Sequence, residues 1–119
     1  MDKKFSFRNS LEILREAQNH GLFDKLHAQL QKDFELANVD LLPLKSVSFE
    51  SLETQLQEKV YVLLLEKFPD YLNLLYVIDI PEKEFREIKS SDVVEISKEV
   101  SFLILKRLFQ KVWLKAKYV

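Results

Sequence analysis

In 119 residues there is one glycine, Gly21, and only three prolines. Sheets joined by tight turns repeatedly need residues that accept a positive φ, which glycine supplies most cheaply. Helices joined by short loops make no such demand. The long stretches without a breaker also carry their apolar residues at helical spacing, so the chain reads as all-α: a compact bundle of about four to six helices. Hydrophobic residues make up 47 % of the chain and charged residues 31 %, enough apolar surface to form a core and too much for a disordered chain. A chain of this length buries roughly two-thirds of its unfolded surface without disulfides or metals. The expectation is one helical domain over 1–119, with residues 1–8 as an arm or first turn.

Punctuation along the chain divides it into helices. Asn9 or Ser10 is placed to cap a first helix carrying Leu11, Leu14 and Ala17, and Gly21 sits where a left-handed residue closes it. A second helix over about 22–37 aligns Leu22, Phe23, Leu26, Leu30, Phe34 and Ala37. Asn38, Asp40 and Pro43 make 38–47 a connection. Ser48 caps a third helix, about 49–68, with Phe49, Leu52, Leu56, Val60, Leu63 and Leu64 on one face. Pro69 ends or kinks it. Residues 70–78 fit either helix or strand by pattern. Leu72, Leu75 and Tyr76 favour helix, and a lone strand would lack a partner. Asp79 and Glu82 have capping-box spacing ahead of a short helix over 80–89, in which Phe85 and Ile88 turn inward. Asp92 and Glu95 repeat that spacing ahead of the last helix.

The last helix, 93 to about 117, would be about 37 Å long. Val93, Ile96, Val100, Leu103 and Ile104 form one apolar stripe, widened by Val94, Leu105, Leu108 and Val112. Phe102, Phe109 and Trp113 recur at i, i+7, i+11 nearly opposite it. A helix apolar on most sides is buried on most sides. It is therefore either central to the bundle or shared with a second molecule.

Two stretches, Leu30-Gln31-Lys32-Asp33-Phe34-Glu35-Leu36-Ala37 and Leu74-Leu75-Tyr76-Val77-Ile78-Asp79-Ile80-Pro81-Glu82, with Leu105-x-Arg107 and Gln110-Lys111 further on, resemble a group of small all-helical bacterial proteins of uncharacterised function. The resemblance spans about residues 22–113 and implies a helical fold. It implies no activity, cofactor or site. The group's pattern has a basic residue after the tyrosine, where this chain has Val77.

Several chemistries lack their residues. Without cysteine there is no disulfide framework, thiolate metal site or cysteine nucleophile, which fits a reducing, cytoplasmic setting. The opening residues hold Lys3, Lys4 and Arg8 but no long apolar run, a poor secretion signal. The longest apolar runs, 60–65 and 102–105, are too short to span a bilayer. His20 and His27 are seven apart across the break at Gly21, with no third ligand at metal-site spacing. Glu82, Glu84 and Glu87 alternate with Lys83, Arg86 and Lys89, the pattern of an ion-paired solvated face, and Glu95 and Glu99 have no histidine between them. With one glycine the chain cannot build a phosphate cradle, and no nucleophile elbow is present. No catalytic, cofactor or metal-binding residue is assigned, and a non-enzymatic protein is expected.

Two surfaces remain as candidates. Phe102, Phe109 and Trp113 are either core or a surface for self-association or a protein partner, where aromatics are enriched. Lys106, Arg107, Lys111, Lys115 and Lys117 make the C-terminus basic, against an acidic stretch from Asp33 to Glu58, although net charge is only −1. These bases either balance the negative end of the helix dipole or contact a polyanion such as nucleic acid. They spread around the helix, which favours the first use. The acidic stretch would pair with the tail of a neighbouring copy. The sequence therefore favours an interaction or self-associating module, with a nucleic-acid-associated protein as the alternative.

Overall fold

The computed structural model describes residues 6–41 and 48–118. Within them every regular element is a helix: α1 (Ser10–Asn19), α2 (Phe23–Leu36), α3 (Phe49–Glu66), α4 (Phe68–Ile78), α5 (Glu82–Arg86) and α6 (Val93–Tyr118). Residues 70–78 are thus helical. Of the expected arm, residues 1–5 lie outside the described residues, and Phe7 packs edge-on against Phe109 at 5.5 Å.

Three helices end on the same motif. Gly21, Asn38 and Asp79 adopt positive φ (67°, 59° and 69°) just past α1, α2 and α4. The next residues, Leu22, Val39 and Ile80, donate their N–H groups to the carbonyls of Ala17, Phe34 and Leu75. Each of these following residues is buried. The motif satisfies carbonyls the helix leaves open and turns an apolar side chain back into the core. Only one of the three positions carries the glycine that makes the motif easy to read.

Helix starts follow sequence chemistry less evenly. Asn9 Oδ1 accepts from the Glu12 N–H at 3.0 Å, and the Glu12 carboxylate accepts from the Arg8 N–H at 2.7 Å. Ser48 caps α3 in exchange with Ser51. Asp92 Oδ1 accepts from the Val94 N–H at 2.9 Å, whereas Glu95 turns to Lys98 instead of closing a box. The box expected at Asp79 and Glu82 does not form. Asp79 ends α4 in the left-handed conformation, and α5 starts after Pro81 with no side-chain cap. Pro69 does not merely end α3. It occupies the first turn of α4, where its missing N–H costs nothing, and the two helices meet at Lys67 with φ −141° and ψ 59°.

The long C-terminal helix is the axis of the bundle: α6 packs against all five other helices. Ile104, Leu105, Leu108 and Phe109 are fully buried along it, facing Leu52, Leu56 and Val60 of α3 and the core residues of α1 and α2. Most of the apolar girth of α6 is therefore used within the chain, but Val94, expected to widen the core stripe, is exposed near the first turn.

Candidate functional site

Phe109 is 0 % exposed, with Phe7 edge-on and Trp113 stacked at 6.2 Å. Trp113 is half-buried and meets the His20 ring edge-on at 5.0 Å. Phe102 is half-buried against the core. Of the three candidate interface residues, Phe109 is closed to any partner by α1 and the residues before it. Phe102 and Trp113 keep only part of their surface, so the stripe does not form one open face.

The five bases of α6 each have a partner in the chain. Lys106 Nζ reaches Glu84 at 3.3 Å. Arg107 donates to both the carbonyl and the carboxylate of Asp79 at 3.1 Å, holding that residue in its left-handed turn. Lys111 Nζ lies 2.7 Å from Asp33 Oδ2, and Asp33 is 3 % exposed. The other Asp33 oxygen accepts from Gln29 Nε2 at 2.9 Å, and Gln29 Oε1 accepts from Lys115 at 2.9 Å. Lys117 lies over the Tyr118 ring, 5.9 Å from its centroid. Charge-assisted bonds of this kind tie α6 to α2, α5 and the end of α4. At Asp33 the acid–base asymmetry of the sequence is met within the molecule. These bases do not form a free cationic stripe.

Among the described residues no three His, Asp or Glu side chains come close enough to hold a metal ion. His20 bonds Glu16 at 2.8 Å. Burial holds the His27 imidazole below its ordinary pKa, with Asp24 acting in the opposite direction. Glu82 pairs with Arg86 at 2.8 Å, as an ion-paired face would. No helix among the described residues is long and apolar enough to cross a membrane.

A different surface stands open. Tyr61, Val62 and Leu65 on α3 and Phe68, Leu72 and Tyr76 on α4 are all exposed, Tyr76 by 83 %. Leu65 and Phe68 flank the elbow at Lys67, so the two stripes meet there. The sequence pattern used Leu72, Leu75 and Tyr76 to favour a helix here, and the segment is helical. In the fold, Tyr71, Leu74, Leu75 and Ile78 are buried, and Leu72 and Tyr76 face away. Positions 61 and 65 share helical spacing on α3, and 68, 72 and 76 share it on α4. At 150–250 Å² per aromatic side chain, the exposed fractions amount to an area on the order of 500 Å². The largest apolar patch of an ordinary monomer is about 300–600 Å² and is often functional.

Comparison with protein-family models, with curated proteins and with solved structures returned no match. The functional reading therefore rests on the surface itself.

Proposed function

We propose that this chain is a non-enzymatic helical interaction module that self-associates through the exposed apolar face of α3 and α4. The observation that carries the reading is the contrast in exposure: Phe109 of α6 is enclosed in the core and Phe102 and Trp113 are half-buried, while Tyr61, Leu65, Phe68, Leu72 and Tyr76 are exposed among the described residues. A second copy is the occupant favoured by charge and by size. The elbow carries Glu66, Lys67 and Asp70 side by side, so a two-fold arrangement sets Lys67 of one copy against an acid of the other. The net charge of −1 opposes pairing very little. An apolar area on the order of 500 Å², with these polar residues at its elbow, approaches the roughly 800 Å² per partner of a standard interface.

The test is solution mass by light scattering after size exclusion. The wild type should run as a dimer, and Leu72→Glu or Tyr76→Glu should run as a monomer of unchanged helicity, because both positions are exposed. Lys67→Glu should weaken the dimer, and added salt should weaken it in the wild type. A wild type that stays monomeric at every concentration overturns self-association. Nucleic-acid binding through Lys106, Arg107, Lys111, Lys115 and Lys117 has no comparable support, since each base already has a partner.

A further inference from the structure

On another part of the molecule, a groove runs between α2 and the last turns of α6. Two bonds set its geometry: Lys111 meets Asp33 at 2.7 Å, and Lys115 meets Gln29 at 2.9 Å. Four residues forward along α6 match four residues back along α2, so the two helices run antiparallel here. Beside these bonds lies a hollow of about 490 Å³, within the range of small-molecule sites. Its floor is apolar: Val112 is buried, and Ala28 and Ala116 are too short to fill the space. Gln29 and three lysines, Lys25, Lys32 and Lys115, complete the lining. Among the described residues no carboxylate belongs to it.

Lysines on a surface usually serve solubility alone, and two observations set this hollow apart. The first is that its cations are not neutralised. The side chains of Lys25 and Lys32 make no hydrogen bond or ion pair among the described residues. Lys106, Arg107 and Lys111 of α6 each meet a carboxylate, whereas Lys115 meets the neutral amide of Gln29. The chain as a whole carries a net charge of −1, so three uncancelled positive charges around one apolar hollow do not follow from composition. A cleft lined by one sign of charge over low-dielectric walls concentrates the field and draws counter-ions. The second observation is that Lys115 is held in place. The buried carboxylate of Asp33 accepts from Gln29 Nε2 at 2.9 Å, which leaves Gln29 Oε1 turned toward Lys115. An amide that positions a lysine without cancelling its charge keeps that charge for a ligand and leaves less side-chain ordering to binding.

We propose that this hollow binds a small organic anion, with its apolar body on Ala28, Val112 and Ala116 and its acidic group among the ammonium groups of Lys25, Lys32 and Lys115. Lys25 and Lys32 lie on one face of α2, about 10 Å apart along the axis, so they flank a ligand that Lys115 reaches from α6. The binding is reversible and involves no covalent step. Two kinds of compound present this chemistry, a carboxylate and a phosphate ester. The site shares no residue with the α3–α4 surface and stands or falls separately from self-association.

The test is titration of the full chain, followed by backbone amide NMR shifts, with four probes: phenyl phosphate, 3-phenylpropionate, inorganic phosphate and 2-phenylethylamine. The two organic anions should move the amides of Lys25, Gln29, Lys32 and Ala116, and the amine should not. Tighter binding of phenyl phosphate assigns a phosphate ester, and tighter binding of 3-phenylpropionate assigns a carboxylate. Inorganic phosphate should bind more weakly than phenyl phosphate, because it leaves the apolar floor unused. Lys25→Gln combined with Lys32→Gln, both at exposed positions that brace nothing, should weaken the better anion by about tenfold. Ala28→Phe should fill the hollow and weaken it further, and Tyr76→Glu should leave it unchanged. Equal binding of 2-phenylethylamine, no response to either organic anion at millimolar concentration, inorganic phosphate binding as tightly as phenyl phosphate, or unchanged affinity in the double lysine variant would overturn the proposal.

Discussion

α6 and the α3–α4 elbow are built from the same materials and put them to opposite uses. Each carries aromatic and aliphatic residues at helical spacing beyond the needs of a single stripe, and each mixes bases with acids. Around α6 most of both is engaged inside the chain: Phe109 is enclosed, and Lys106, Arg107 and Lys111 brace neighbouring helices. On α3 and α4 the outer apolar residues stay exposed, and Glu66 and Lys67 make no ion pair among the described residues. The difference teaches that an apolar excess in a helix does not itself announce an interface. What matters is whether another helix of the same chain is positioned to take it.

Truncation gives the widest separation between the two regions. Phe109→Ala should cost about 4 kcal/mol in denaturant unfolding, through lost burial and the cavity left behind. Tyr76→Ala, at an exposed site, should change monomer stability by no more than about 0.5 kcal/mol. Comparable losses at the two sites would erase the contrast.

Removal of one brace comes next. Lys111→Met leaves the Asp33 carboxylate buried without its cation and should cost about 3 kcal/mol, because an unpaired buried charge is expensive. Adding Asp33→Leu in the same chain should recover most of that loss. If the double variant is no better than the single one, packing and not charge explains the site.

A smaller effect of opposite sign is expected at Ser101 on α6, which is fully buried with no hydrogen-bond partner for its hydroxyl. Ser101→Ala removes an unsatisfied polar atom and improves helix propensity, so it should raise stability by about 1 kcal/mol. A loss in its melting transition would show that the hydroxyl is satisfied in solution.

The smallest effect concerns pH. Burial holds the folded pKa of His27 below its ordinary value of 6.5. Between those two values the unfolded chain binds more protons than the folded one, so this contribution rises with pH across the window and is lost as pH falls through it. His27→Gln should flatten that part of the stability profile. An unchanged slope would place its origin at another group.

Much of the fold was legible along the chain because helix signals are local. Gly21 closes α1, Ser48 opens α3, and the apolar period continues through 93–118, each depending on residues within a turn or two. Asp79 shows where local reading fails. Its spacing to Glu82 suits a capping box, but Arg107, 28 residues later, holds it as the end of α4. Leu72 and Tyr76 marked a helix correctly but left its orientation open. Periodicity shows that a helix has an apolar face without showing which of two faces meets the core, and that choice is made by how α4 turns at Lys67.

The amino-acid sequence by itself determined that this protein is helical, where most of its helices begin and end, and that its C-terminal helix needs apolar cover on most sides. These follow from backbone propensity, capping and period, which act over a few residues. Only the tertiary structure decided that the cover comes from the chain's own helices, that the tail bases act as internal braces, and that the uncovered apolar surface lies on α3 and α4. Burial and charge pairing depend on which distant residues meet, as Asp33 and Lys111 do across 78 positions, and no local pattern carries that information.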